Sequence, residues 1–397
     1  MKSITFNQIV SAVGFSDLTT IRTDDVKTNI SAFARWVFKG HPAWPFWDKQ
    51  IKDSFKKHIV ELYKNANNIS SSTQLLERLY EISLKTIPDR HFSVSFSNHK
   101  RALDKEQRKS IKHKILSDLE ANESVGHNLA KLNLSELKKL GINIYMREDL
   151  SNVGKAWLFV GEINQKIGVI ACTNLTTINP TTKLFSKDQF NKISKMVKTV
   201  KKYSKNWLGV IIDLRDNTGG DSQFFEQIAG IINGGAAAPI SKRLWVRNTS
   251  ENIWLLEELQ KRYNVLDIKK LEKLRAQKKL KILWYEGKKI TIKKPYKQIR
   301  ILTNRLVQSS SEAVIFQLGK CPAYKTVGEN TGGCTIGFCP IGVMLPNSGI
   351  INMATSYSVS PMICKEGVGI SPDIPITKKD TFTVALNDIE QKLKKAY

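Results

Sequence analysis

Long apolar runs are missing from this 397-residue chain, and none approaches the roughly 20 residues that a membrane-spanning helix needs, so no transmembrane segment is expected. The start, MKSITFNQIVSAVGFSD, has one lysine but neither a continuous apolar stretch nor a small-residue cleavage site. That pattern is not a secretion signal, so the expected compartment is the cytoplasm, or an exported one if a leader was removed. Cysteine is scarce and odd in number, at 172, 321, 334, 339 and 364. Five thiols in a long chain without a C-x-x-C pair fit reduced side chains better than a disulfide framework, and they offer no metal-ligand spacing. Neither metal nor cofactor is expected. Acidic residues are also short: 36 Asp and Glu against 62 Lys and Arg leave a net charge of +26. Such an excess suits acidic partners, nucleic acid among them. It is spread over several segments, however, and even the densest, 269–300 with thirteen Lys or Arg and two Glu, forms no nucleic-acid-binding module. A solvated lysine-rich surface is the simpler reading, and nucleic acid is not favoured.

What is present is a globular chain, 41% apolar with eight tryptophans, long enough for two or three domains' worth of core. Residues 1–150 read as a mainly helical subdomain. An aromatic, proline-bearing loop at 36–47 precedes helices at 49–66 and 72–86, and IPDRHFSVSF at 87–96 is a turn leading into a short strand. Residues 97–140 are basic and helical, with no glycine-rich carboxylate-binding loop, so no PDZ module is expected. From Trp157 the pattern changes to two strands joined through Asn164, Gln165 and Lys166, then a helix at 187–205 opened by a Ser186–Gln189 capping box. Residues 151–397 read as an α/β core with an insertion at about 240–295: a helical hairpin over 251–280, then a short basic strand pair.

Two stretches of that core carry chemistry. WLGVIIDLRDNTGGD at 207–221 and ILTNRLVQSSSEAVIFQLG at 301–319 are each a buried strand that runs into a small, polar turn and then a helical pattern. The Gly219-Gly220 turn can offer backbone N–H groups to an oxyanion, and a serine at the mouth of the second helix can serve as nucleophile or, equally, as an N-cap. Asp213 and Arg215 fit a structural salt bridge at the first corner, and Glu329 and Thr331 are placed to shape the loop beside the second.

DLRDNTGG at 213–220, TNRLVQSSSE at 303–312, VGENTGG at 327–333 and GVGISPDIPI at 367–376 resemble, in order, the four signature blocks of the C-terminal processing (tail-specific) serine proteases. The tricorn core and the retinoid-binding modules are relatives. The resemblance, carried by residues 155–376, implies a ClpP/crotonase-like ββα core and hydrolysis of peptide or protein substrates through an acyl-enzyme. It further implies Ser309, three residues before Glu312, as nucleophile, with Gly219, Gly220 and Ser310 outlining the oxyanion hole. Where the tail-specific branch carries its lysine base, 25 residues after the serine, this chain has Cys334, and residues 326–364 contain no Lys, Arg or His. The base is therefore sought among six histidines, all in the first third. His91, in PDRHF, resembles the D-x-H block of the tricorn-core branch; His41 is the second choice. An imidazole's ordinary pKa of about 6.5 suits a general base. The group orienting that imidazole is expected to be Glu366, with Asp89 its competitor. Arg90 is a departure from the family pattern, and a degenerate relative that only binds peptide or a hydrophobic ligand is the alternative.

Overall fold

The computed structural model describes residues 4–89, 91–96, 128–149, 157–173, 187–220, 228, 230–232, 242–247, 249–263, 281–285, 297–318, 323–334, 337–338, 341–347, 349–358, 368–376 and 380–396. The chain divides into two compact units, one of Met1–Lys112, Lys242–Tyr285 and Ile336–Met362, the other of His113–Ser241, Glu286–Thr335 and Ile363–Tyr397.

The second unit is built on a seven-stranded sheet. In spatial order its strands are Ile374–Pro375, Tyr324–Gly328, Gln298–Thr303, Gly209–Asp213, Ile167–Cys172, Trp157–Ile163 and Asn143–Asp149. The first five run parallel, and the last two are antiparallel additions. A parallel strand is covered on both faces, so its sequence is continuously apolar: in GVIID, Val210 and Ile212 join one core layer while Ile211 joins the other. The first layer is closed by the helices Lys187–Tyr203, which contributes Ile193, Met196 and Val200, and Ser310–Leu318; the second by Thr381–Ala396, which contributes Phe382, Ala385 and Ile389.

The hairpin between 157–163 and 167–172 forms where the sequence places it. Asn164 and Gln165 both take positive φ, 50° and 56°, giving the turn whose twist matches the flanking strands. The Ser186–Gln189 capping box lies outside the described residues.

In the first unit, helices Phe6–Ser11, Phe15–Thr20, Val26–Arg35, Lys49–Lys64 and Ser72–Thr86 pack around a core containing Phe33, Trp36, Phe55 and Leu79. The strand Ser93–Phe96 is the edge of a three-stranded antiparallel sheet with Gly349–Met353 and Ile341–Met344. The insertion differs from the sequence expectation. Helix Ser250–Tyr263 lies in the chain between two strands, Lys242–Val246 and Lys281–Tyr285, that pair with each other antiparallel, so the strand pair brackets the helix instead of following it. The apolar and aromatic residues of KRLWV and KILWY suit such pairing, but 34 intervening residues hide it from any local pattern. The second arm of the expected hairpin, and the stretch where a PDZ module would sit, lie largely outside the described residues. Among the described residues no helix is long and apolar enough to cross a membrane.

Gly168 sits where the sheet meets Trp207, and a Cβ there would fall 2.2 Å from the indole. Gly168→Ala is expected to destabilise the protein by about 1–3 kcal/mol through overpacking, read as a lower denaturation midpoint at unchanged slope.

Candidate active site

The four sequence blocks converge within the second unit, and hydrogen bonds show how. The 209–213 strand ends in Asp213, whose carboxylate pairs with Arg215 (Nη2 to Oδ2, 2.8 Å) and accepts the Leu129 N–H at 2.8 Å, all buried. Asp216 follows with φ 63°. Its N–H donates to Asn304 Oδ1 at 3.0 Å, its Oδ1 accepts from Asn304 Nδ2 at 2.7 Å, and Lys131 Nζ donates to its Oδ2 at 2.6 Å. The first corner is thus bonded to the second.

Asn217, fully buried, holds the junction. Its Oδ1 accepts the Gly219 N–H at 3.0 Å and the Ser311 hydroxyl at 2.7 Å, its main-chain oxygen accepts the Gln308 N–H at 3.1 Å, and its Nδ2 donates to the Cys172 carbonyl at 2.8 Å. The Ser310 hydroxyl donates to the Gly220 carbonyl. The two corners touch: a Cβ on Gly219, at φ 101°, would lie 2.8 Å from the Ser309 Cβ, so only glycine fits.

Ser309 itself is half-buried at φ 56°, a left-handed conformation unusual for a residue with a side chain. It stands between the 298–303 strand and the Ser310–Leu318 helix, as the last residue before the helix begins. Such a backbone costs about 1–3 kcal/mol and persists only where its surroundings impose it. Here the imposing group is Glu312, fully buried. Its Oε2 accepts the N–H groups of Ser309 (3.0 Å) and Cys334 (2.8 Å), and its Oε1 accepts the Gly333 N–H (2.9 Å) and the Thr331 hydroxyl. The glutamate three residues after the serine is therefore a structural anchor for the third block. Thr331 carries the chain of contacts to the fourth block, since its Oγ1 accepts the Ile370 N–H at 2.7 Å and its own N–H donates to the Ile370 carbonyl. Cys334, at the position of the family lysine, is a buried thiol.

The two candidate histidines, His41 and His91, are in the first unit. His41 is completely buried in the aromatic loop, with Trp47 at 4.8 Å between ring centroids. Its Nδ1 accepts the Ala43 N–H at 3.1 Å, which makes Nε2 the protonated nitrogen, and Nε2 donates to Asp89 Oδ2 at 3.0 Å. With both nitrogens committed, His41 is not a proton acceptor for substrate. Asp89 turns its other oxygen to His91: Oδ1 accepts the His91 backbone N–H at 2.8 Å and lies 3.7 Å from Nδ1. Burial alone would push the Asp89 carboxyl up, but pairing with His41 and His91 outweighs it and holds the group well below the usual carboxylate range. Glu366 and Arg90 lie outside the described residues. The structure thus groups Ser309, Ser310, Gly219 and Gly220 in one unit, and His91 and Asp89 in the other. Asn217 was not singled out from sequence, although an asparagine in a Gly-Gly turn is a recognisable signal; nothing in the sequence links His41 to Asp89. Among the described residues no group of three or more His, Cys, Asp or Glu is placed to hold a metal ion.

The core and its four joined blocks are those of a serine-type peptidase. Residues 166–376 match the profile described as Peptidase family S41, and the chain belongs to that family. The resemblance read from the four blocks is borne out at that level, as is the α/β fold class. No curated protein sequence matches the chain. Among solved structures, a candidate peptidase from Parabacteroides merdae ATCC 43184 aligns at 14% identity over 92% of this chain and 97% of its own, with a TM-score of 0.56. Mature CPAF in complex with lactacystin aligns at 12% identity over 94% and 97%, with a TM-score of 0.54. These likenesses are of fold.

Two outcomes are expected. Glu312→Gln leaves two of four donors facing an amide NH2, so it should destabilise the protein by about 2–3 kcal/mol in chemical denaturation. Asp216 is the second test: burial would raise its carboxyl, but Lys131, Asn304 and the Asn128 N–H hold it below its ordinary value. A carboxyl that titrates lower when folded contributes fully above the unfolded carboxylate range and loses that contribution as pH falls. Stability should therefore drop from about pH 5 downward, and Asp216→Asn should flatten that drop in pH-dependent unfolding.

Proposed function

We propose that this peptidase is an endopeptidase working through an acyl-enzyme, with Ser309 as nucleophile and His91 as general base. The observation that carries the reading is the backbone of Ser309, held at φ 56° against Gly219 where the two corners touch. A strained serine between strand and helix has its hydroxyl displayed away from the helix it opens, and its helix N-terminus favours developing negative charge. In this mechanism His91 takes the hydroxyl proton as Ser309 attacks the scissile carbonyl, and returns it to the leaving amine. Water then deacylates the enzyme by the same route.

The N–H groups of Gly220 and Ser310 receive the oxyanion. Gly219, the third group expected from sequence, donates its N–H to Asn217 Oδ1 and serves instead to keep the turn clear of Ser309. Asp89 orients the His91 imidazole; its buried carboxylate, already paired within the PDRHF turn, favours it over Glu366. The substrate class is peptide or protein. The absence of lysine near Cys334 supports histidine as the base of this chain, in the manner of the tricorn-core branch.

A fluorophosphonate probe is expected to label the wild-type protein, and Ser309→Ala to abolish labelling. His91→Ala should lower peptide hydrolysis by roughly 10³-fold or more. Cys334→Ala should be labelled normally, because the thiol is not the nucleophile. Labelling that survives Ser309→Ala overturns the assignment. Retention of peptide without turnover, unaffected by His91→Ala, identifies the ligand-binding alternative instead.

A further inference from the structure

The reading of His91 as base leaves a second histidine unexplained. His41 is as deeply buried as any residue in the first unit, and its ring is fixed from several directions. The Ala43 N–H sets its tautomer. Trp47 and Phe92 pack against it at centroid distances of 4.8 and 6.0 Å. Its backbone is clamped as well, because the loop it ends is held by residues 247–252. Arg247 Nη1 donates to the carbonyls of Phe38 (2.6 Å) and His41 (3.2 Å), Thr249 Oγ1 to Lys39 (2.8 Å), and Asn252 Nδ2 to Gly40 (3.1 Å).

This rigid ring presents one N–H, and it points at the carboxylate that faces His91. The two oxygens of Asp89 are divided: Oδ2 belongs to His41, and Oδ1 to the backbone N–H and Nδ1 side of His91. A buried carboxylate with one anchored oxygen cannot rotate about its χ2 without breaking that hydrogen bond, so the position of Oδ1 is dictated from the far side. Arg247 lies against the His41 carbonyl, with its guanidinium pushed down to about 10 by burial, and Glu251 pairs with Arg35 at 2.6 Å.

We propose that His41 is a positioning residue for the peptidase reaction: through Asp89 it fixes the orientation and tautomer of His91, making a His41–Asp89–His91 relay. The proposal rests on the reading of His91 as general base. His41 does not itself exchange a proton with substrate; it holds Asp89 so that His91 keeps its proton on Nδ1 and its lone pair on Nε2. A merely space-filling His41 would satisfy the buried carboxylate without affecting the reactivity of His91.

Two isosteres separate these roles. In His41→Gln the side-chain amide places an N–H where Nε2–H stood, whereas in His41→Asn the oxygen replaces Nδ1 as acceptor for Ala43 and no donor reaches Asp89. His41→Gln is expected to keep kcat within about threefold, and His41→Asn to lower kcat by about 10- to 100-fold with KM little changed and the acid limb of the rate profile displaced. Wild-type kcat and an unmoved pH profile in both variants, with His91→Ala inactive, overturn the relay while leaving His91 as base. Full activity in His91→Ala overturns the base assignment itself. Should His41→Asn fail to fold, imidazole ¹⁵N shifts of the wild-type protein decide. His41 protonated on Nε2 and His91 on Nδ1 supports the relay; His91 protonated on Nε2 refutes it.

Discussion

The carboxyl group of Glu312 is the constraint from which the rest of the serine corner follows. Placed in a fully buried site, it is satisfied because four donors from the serine turn and the 331–334 loop converge on its two oxygens. The same donors are thereby fixed relative to one another. Ser309 is kept in a conformation it would not adopt alone, and the loop bearing Thr331 and Cys334 is drawn against the start of the 310–318 helix. Thr331 then bonds Ile370, so a single buried side chain organises the third and fourth sequence blocks around the second. Asn217 plays the matching part for the first block, using its amide to bond residues on both sides of the junction.

A similar logic governs the first unit on a smaller scale. Asp89 is buried and depressed below its ordinary titration range by two histidines with different surroundings. His41 is sealed among aromatics with both nitrogens committed, while His91 sits at the head of the 93–96 strand with its side chain 12% exposed. One ring is a fixed support, and the other retains access to solvent. Difference in environment, not in residue type, separates their roles. The lysine-bearing insertion contributes here through Arg247 and Asn252, which clamp the loop that ends in His41.

Much of the second unit could be read in the chain itself. The continuous apolar run of GVIID, Ile301 and Leu302 ahead of the second turn, the turn at Asn164-Gln165 and the apolar stripe of the 187–203 helix are local signals, and local physics produces them. The serine corner was legible for another reason: its four blocks are short, ordered and carry residues with few substitutes. The role of Glu312 was not legible, because its spacing from Ser309 reads as a landmark until the donors around it are known. Nor was the strand pair of 242–246 with 281–285, whose partners are far apart in sequence.

The amino-acid sequence by itself determined the family and the α/β class and singled out Ser309 as the candidate nucleophile, since each depends on patterns confined to a few neighbouring residues. It also directed the search for a base to the histidines, by leaving no Lys, Arg or His between residues 326 and 364. Only the tertiary structure decided that Asp89 joins His41 to His91, that Gly219 donates inward to Asn217, and that Glu312 ties two blocks together. Those are contacts of buried polar groups, and a buried donor or acceptor takes whichever partner folding brings within 3 Å of it, whatever their separation along the chain.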